Sequence, residues 1–354
     1  MAELNSLNSL WFWIVSVMVA IYVVMDGFDF GAGVLHLRVA KTNEERRQVL
    51  AAIGPLWDGN EVWLLASGGA LFLAFPKVLA SGFSGFYLAM WLVVWSLMLR
   101  GISIEFRSHV QDILWRSFWD VAFAAASAAL PILLGVALGN VVRGVPLDAG
   151  GYFELPLFTS FRTANPVGIL DWYTVLVGVF ALVTVTAHGA LFLAWKTEGP
   201  VHDRSVDLST KLWSAVAVLW VVVGIATDTV NPRVWAMLPF RPLGLAFTAV
   251  ALGGLALAFY GQQQQRHLRA FLGSGAFILG LLAATAACVY PVMLHSSLDQ
   301  AQDLTVLNSS VAAHGLATGL KWWILGFPAA LGYIVLLFRI HRGKVSAAPE
   351  GEGY

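Results

Sequence analysis

Charge is scarce in this sequence. Only 12% of its 354 residues are Asp, Glu, Lys or Arg, about half of what a soluble globular domain carries. The 21 basic and 21 acidic side chains cancel to a formal net charge of zero. No basic excess is left to neutralise phosphates, which argues against nucleic acid as a partner. Cysteine is nearly missing: Cys288 stands alone in an apolar run, which excludes an internal disulfide and any cysteine-cluster metal site. The first apolar run, Trp11 to Leu35, has no Lys or Arg before it and no small-residue cleavage site after it. It reads as a span rather than a signal peptide. Long polar stretches are lacking too, so no loop can hold a separate domain.

What is present is apolar. Hydrophobic residues make up 58% of the chain, and the mean hydropathy is +0.73. These residues come in runs of about 20, the length that crosses a bilayer as a helix. The sequence therefore predicts an all-α polytopic membrane protein, a single membrane domain over residues 1–354. Nine transmembrane helices are expected, at roughly 10–36, 52–74, 79–100, 117–141, 171–195, 211–230, 240–260, 270–292 and 311–339. The 34 glycines suit close helix packing in lipid. Many of the 15 tryptophans lie near segment ends, where indoles anchor at the interface.

Basic residues set the orientation. Loops after odd-numbered segments and the tail hold Arg38, Lys41, Arg46, Arg47, Arg100, Arg107, Arg116, Lys196, Arg204, Lys211, Arg266, Arg269, Arg339, Arg342 and Lys344. The other side holds Lys77, Arg143, Arg162, Arg233 and Arg241. Positively charged loops stay inside, so the N-terminus is expected outside and the C-terminus in the cytoplasm. The longest loop, about 142–170, reads as an ordered outer loop, and the tail Val345–Tyr354 as disordered. No strong internal repeat is seen, and a four-plus-four arrangement of helices stays open.

Ionisable residues inside apolar runs are costly and face the protein interior. The first two runs carry four acids: Asp26 and Asp29, then Asp58 and Glu61. Each pair is spaced i, i+3 and shares one helix face. With segment ends near Leu35 and Ala52, Asp29 and Asp58 should lie about 9 Å from the cytoplasmic end, and Asp26 and Glu61 about 13 Å. Arg100 and Asp120 fall on the same side. Two readings are open. The carboxyls could form a proton path entering from the cytoplasm. Alternatively they form fixed ion pairs, with Arg100 neutralising Asp29 or Asp120. Of the eight histidines, His188 is nearest to a plausible axial haem ligand. No second histidine pairs with it at one depth.

The motifs carry a resemblance. Asp26-Gly-Phe-Asp-Phe-Gly31 and Gly54-Pro-Leu-Trp-Asp-Gly-Asn-Glu-Val-Trp63 resemble subunit II of cytochrome bd-type quinol oxidases, including the cyanide-insensitive branch. Ser84-Gly-Phe-Tyr87, Arg100-Gly-Ile-Ser-Ile-Glu-Phe-Arg107, Trp115-Arg-Ser-Phe-Trp-Asp120, Gly135-Val-Ala-Leu-Gly-Asn140 and Tyr290-Pro291 fit the same family. The resemblance implies two four-helix bundles, roughly 10–141 and 171–292, with a peripheral ninth helix at 311–339. It implies a chain of the bacterial inner membrane that ligates no haem. Its partner, subunit I, would hold haems b and d and the quinol site. A small single-helix subunit and a bound structural quinone or lipid are compatible with the family.

Carried onto this sequence, Asp58 matches an acid of a proton route toward the oxygen site. Asp26, Asp29, Arg100 and Asp120 match further motif charges, with ion pairing as the alternative role for them. Trp57 and Trp63 flank the acids and could line the partner interface or an oxygen route, or simply pack. The implied activity is that of a quinol:oxygen oxidoreductase, with dioxygen reduced to water. Two other readings stay open: a stand-alone proton-coupled membrane carrier, and a scaffold that only stabilises the haem subunit.

Overall fold

A computed structural model of the chain describes residues 6–164 and 166–346. Within them it is mainly helical. Eight helices are long and apolar enough to cross a membrane: α1 (Leu7–Val39), α5 (Tyr87–Phe106), α6 (Ile113–Arg143), α7 (Trp172–Lys196), α8 (Gly199–Val230), α10 (Pro242–Gln263), α11 (His267–Val289) and α12 (Ala313–Ile340). A ninth span exists only if α3 (Trp57–Ala74) and α4 (Pro76–Gly85) count as one element, and the two meet at a bend of 119°. The reason is chemical. Asp58, Asn60 and Glu61 crowd the start of α3 and dilute its apolar character, while Pro76 has no N–H to continue the helix across the bend.

Several boundaries differ from the sequence expectation, among them the start of the sixth span, which begins at Gly199 rather than near 211. The second span does not begin near Ala52: residues Asn43–Ile53 form a separate helix, α2. Thr42 caps it, with Glu45 reaching back to complete a capping box. The third expected run, 79–100, is split between α4 and α5, which starts only at Tyr87.

Helices α1 and α7 form the centre and cross closely. A Cβ on Gly31 would lie 2.0 Å from the Val185 carbonyl oxygen, and one on Gly189 2.5 Å from Ala32 N. Only hydrogen fits between the two backbones. Around this crossing α1 packs on α3 and α6, α7 packs on α8 and α11, α5 packs on α6, and α10 packs on α11. The last pair also meets through glycines, Gly254 against Phe277 and Gly273 against Ala258. Helix α12 lies against α3 and α1, and its most apolar stretch buries none of its residues.

The loops fall at two ends. One end, here the basic end, gathers α2 and the α5–α6, α7–α8 and α10–α11 turns. At the other end the loop from Gly144 folds back on the short hairpin β1 (Val292–Leu294) and β2 (Leu304–Thr305). Val145, Leu147, Phe153 and Ile169 are buried there with Phe86, Leu294 and Leu304, so the loop is ordered by its own apolar core. The tail expected to be disordered is held at its first residue. Val345 N donates to the Lys196 carbonyl (2.7 Å), and Gln48 Nε2 donates to the Val345 carbonyl (3.0 Å). Residues 347–354 lie outside the described residues.

Two outcomes follow. Gly31→Ala should destabilise the purified protein by about 1–3 kcal/mol through overpacking, read as a lower thermal midpoint in detergent; an unchanged midpoint would contradict the tight crossing. The second concerns Glu45. Slight burial opposes ionisation, but hydrogen bonds from Arg204 and from the Lys41 and Thr42 amides outweigh it and lower the carboxyl below its ordinary 4.5. A lowered native value means the stabilisation is present above the unfolded-state value and fades as pH falls through the native one. The pair is near the surface, so it contributes at most about 1 kcal/mol. Glu45→Gln should remove that acid-side slope from the midpoint-versus-pH curve.

Candidate functional site

The site is built where the N-terminus of α3 abuts the middle of α1. Asp26 and Asp29 are both fully buried on α1. Asn60 of α3 donates from Nδ2 to Asp29 Oδ2 (2.7 Å). Arg100, fully buried on α5, bridges the two helices: Nη1 lies 2.8 Å from Asp26 Oδ1, and Nη2 donates to Glu61 Oε1 at 2.5 Å. Its guanidinium sits 4.6 Å from the centre of the Phe30 ring and 6.0 Å from that of Trp57. Stacking on rings suits the weakly hydrated, planar guanidinium. The Tyr22 hydroxyl stands beside Asp26, one turn further along α1.

One charge thus faces three carboxyls. Arg100 meets Asp26 and Glu61 directly, whereas Asp29 is held by Asn60. The three carboxyls share one guanidinium, an excess of acid over base within the cluster. The cluster is also graded in access. The Glu61 side chain is 23% exposed, whereas Asp26 and Arg100 are at 0%. Asp58 is exposed in the first turn of α3 and has no hydrogen bond or ion pair among the described residues. Its carboxylate sits where the helix dipole favours negative charge.

Several sequence expectations change. Arg100 does not pair with Asp120; it neutralises Asp26 and Glu61, because α5 lies against the site with Arg100 level with them. Depths shift as well. Helix α1 runs on to Val39, which puts Asp29 about 15 Å from its end. Asp58 falls in the first turn of α3 rather than two turns inside, because that helix starts at Trp57. Asp58 and Glu61 also part company, Glu61 turning to Arg100 while Asp58 faces outward.

Asp120 belongs to a second cluster at the basic end. It is 1% exposed and accepts from His36 Nε2 (2.6 Å), Arg107 Nε (2.6 Å) and Arg46 Nη1 (2.7 Å). These elements come from α1, α2, the end of α5 and the start of α6, so one carboxylate ties four segments. Sequence reasoning missed His36 as a partner. The signal was available: His36 is seven residues from Asp29 and so shares its face of α1. A third buried pair, Arg143 with Asp171, was also missed. It holds the α6–α7 loop, with Arg143 donating in addition to the Gly168 carbonyl and Asn140 Oδ1.

The tryptophans separate. Trp57 packs on Arg100 and Gly101. Trp63 is buried within the chain, its ring edge-on to Phe327 of α12 at 5.8 Å. His188 has both ring nitrogens engaged, Nε2 donating to the Val24 carbonyl (3.0 Å) and Nδ1 2.6 Å from Ser274 Oγ. It stacks on Phe271. Among the described residues no three His, Cys, Asp or Glu side chains group as a metal site.

Arg100→Met should leave Asp26 buried without its counter-charge and lower stability by about 3–5 kcal/mol. Yield and thermal midpoint in detergent would read this. Adding Asp26→Asn to Arg100→Met should recover part of the loss; no recovery would mean that the pair is not what Arg100 stabilises.

Comparison with known proteins places the chain in a family. The family model described as cytochrome bd terminal oxidase subunit II matches residues 7–341. The Escherichia coli (strain K12) protein named cytochrome bd-I ubiquinol oxidase subunit 2 is 30% identical over 365 residues, covering 96% of this chain and 93% of that protein. The Bacillus subtilis (strain 168) cytochrome bd ubiquinol oxidase subunit 2 is 30% identical over 342 residues, covering 96% and 97%. Among solved structures, a chain of the bd oxidase from Geobacillus thermodenitrificans superposes with a TM-score of 0.75 at 17% identity, over 94% of this chain and 98% of that one, a likeness of fold. With its apolar helices, its charged motifs and these matches, the chain belongs to the family of cytochrome bd terminal oxidase subunit II, a multi-pass membrane subunit of a bacterial respiratory oxidoreductase.

Proposed function

We propose that this chain is the non-haem-ligating partner of a haem-bearing subunit I, and that it delivers cytoplasmic protons toward oxygen reduction there. The observation that carries the reading is the graded acid cluster: exposed Asp58, half-open Glu61, then buried Asp26 and Asp29 around one arginine. A proton reaching Glu61 from the α3 face meets carboxyls of decreasing access in a low-dielectric interior. Reduction of dioxygen to water consumes protons, and taking them from one side makes the reaction electrogenic. An orientation with the N-terminus outside and the basic end in the cytoplasm of a bacterial inner membrane is supported by the distribution of Lys and Arg.

The haems b and d and the quinol site are assigned to the partner subunit, and in this chain His188 packs through two hydrogen bonds within the protein. No step of the proposal runs through a haem in this chain. Two four-helix bundles about the α1–α7 crossing, with α3 and α4 as one broken ninth span and α12 peripheral, form the scaffold of the reading. An apolar cavity of about 250 Å³, lined by Tyr22, Phe30, Pro131, Trp220 and Trp235 among others, supports a bound quinone or lipid tail in this chain. A small single-helix subunit would be a further partner.

Glu61→Gln and Asp58→Asn should each lower quinol-driven oxygen consumption of the purified complex by about tenfold or more. Haem content and subunit ratio should stay normal. Wild-type turnover in both fully assembled variants would sink the proton-path reading and leave the chain a scaffold.

A further inference from the structure

Helix α1 carries a polar stripe longer than the acid cluster. Tyr22, Asp26, Asp29, Gly33 and His36 are spaced by four, three, four and three residues, which is one face of a helix. All five are buried. At Gly33 the stripe is completed from α6, because Ser127 Oγ occupies the space a Cβ would take, 2.0 Å from its ideal position. Ser127 is itself 0% exposed.

From Asp29 to the basic end, three side-chain atoms along this stripe are buried without a hydrogen bond among the described residues: Asp29 Oδ1, Ser127 Oγ and His36 Nδ1; at the other end the Asp26 oxygens face Tyr22 and Arg100. Gly33 lies about 6 Å along the axis from Asp29 and about 4.5 Å from His36. Ser127 Oγ, seated on Gly33, therefore stands between the other two. Steps of this size are bridged by single water molecules, and a buried water needs two to four polar partners. Desolvated polar atoms of this kind are otherwise costly, and three on one seam share one remedy.

We infer that Asp29, Ser127 and His36 bind a short file of internal water along the α1–α6 seam, which joins the Asp26–Asp29 pair to the His36–Asp120 cluster at the basic end. The groups facing the file are accounted for on every side. Asp120 of α6, Arg46 of α2 and Arg107 after α5 surround His36, with the Phe123 ring 5.3 Å away. Asn60 of α3 and Arg100 of α5 surround the upper end. Both Asp120 oxygens are met by arginine N–H groups, which only donate, so they act as acceptors. His36 therefore donates from Nε2 to Asp120, and in the neutral ring Nδ1 is a lone pair turned to the file. The file ends on an acceptor at one end and a carboxyl at the other. It is a second polar connection to the buried acids, separate from the Glu61 face. His36 and Ser127 are positioning residues for it. The functional half of this inference rests on the acids being proton carriers; the water site does not.

The test uses the intact oxidase complex. A high-resolution map should show ordered water within hydrogen-bond reach of Ser127 Oγ and His36 Nδ1, and Ser127→Val should remove it. Ser127→Val should also slow oxygen consumption several-fold, enlarge its solvent deuterium isotope effect and shift its pH profile. Ser127→Thr, which keeps the hydroxyl, should restore all three. A dry seam in the map overturns the proposal. Water present but with turnover and pH profile unchanged in both Ser127→Val and His36→Gln overturns the connecting role. If Glu61→Gln is slow in the same assay while these two are not, the acid path stands and only this branch fails. If Glu61→Gln, Asp29→Asn and Ser127→Val all run at the wild-type rate, the proton-path reading has failed as well.

Discussion

A guanidinium buried among carboxyls governs this structure. Arg100 has no exposed surface, and neither has Asp26. Moving either ion out of water alone costs several kcal/mol even after relaxation, and their mutual attraction offsets this only with good geometry. The geometry needs α1, α3 and α5 in register, since the charges sit on three different helices. Specificity of packing follows from that requirement, because sliding any one helix by a turn would strand a charge in an apolar interior. The Phe30 and Trp57 rings complete the shell around the cation, so both charge and shape fix its place.

The Asp120 cluster plays the same part at the basic end, but with the charge ratio reversed. There one carboxylate faces two arginines and a histidine. There base exceeds acid, whereas around Arg100 acid exceeds base. Residues of the same type thus have opposite characters, decided by their neighbours. The close α1–α7 crossing serves both clusters, for it fixes α1 against the second half of the chain while its polar face is turned toward α3, α5 and α6.

Much of this was legible from residue order. The apolar runs, their lengths and the two i, i+3 acid pairs place charge on the inner faces of the first spans without any coordinates. The motifs Asp26-Gly-Phe-Asp29 and Trp57-Asp-Gly-Asn60 were enough to point to the family. Less legible were the helix ends. Residues 43–53 read as a cytoplasmic loop running into a span, but the capping box at Thr42 and Glu45 starts a short helix there. That helix pushes the start of α3 to Trp57, which is why Asp58 lies at a helix N-terminus and not two turns within.

The sequence by itself determined that the chain spans a membrane many times and that acids lie within its first spans. Those properties depend on hydropathy and helical period, both local. Only the tertiary structure decided which acid meets which base. Arg100 was placed at the right end of the chain's third run by sequence, yet its partners are Asp26 and Glu61 because α5 packs level with them. His36 and Arg107 were a histidine and an arginine near loops until the fold closed them on Asp120. Ion pairing is set by distance in space between residues on different helices, and rotation of a helix about its axis by one residue exchanges a partner for lipid.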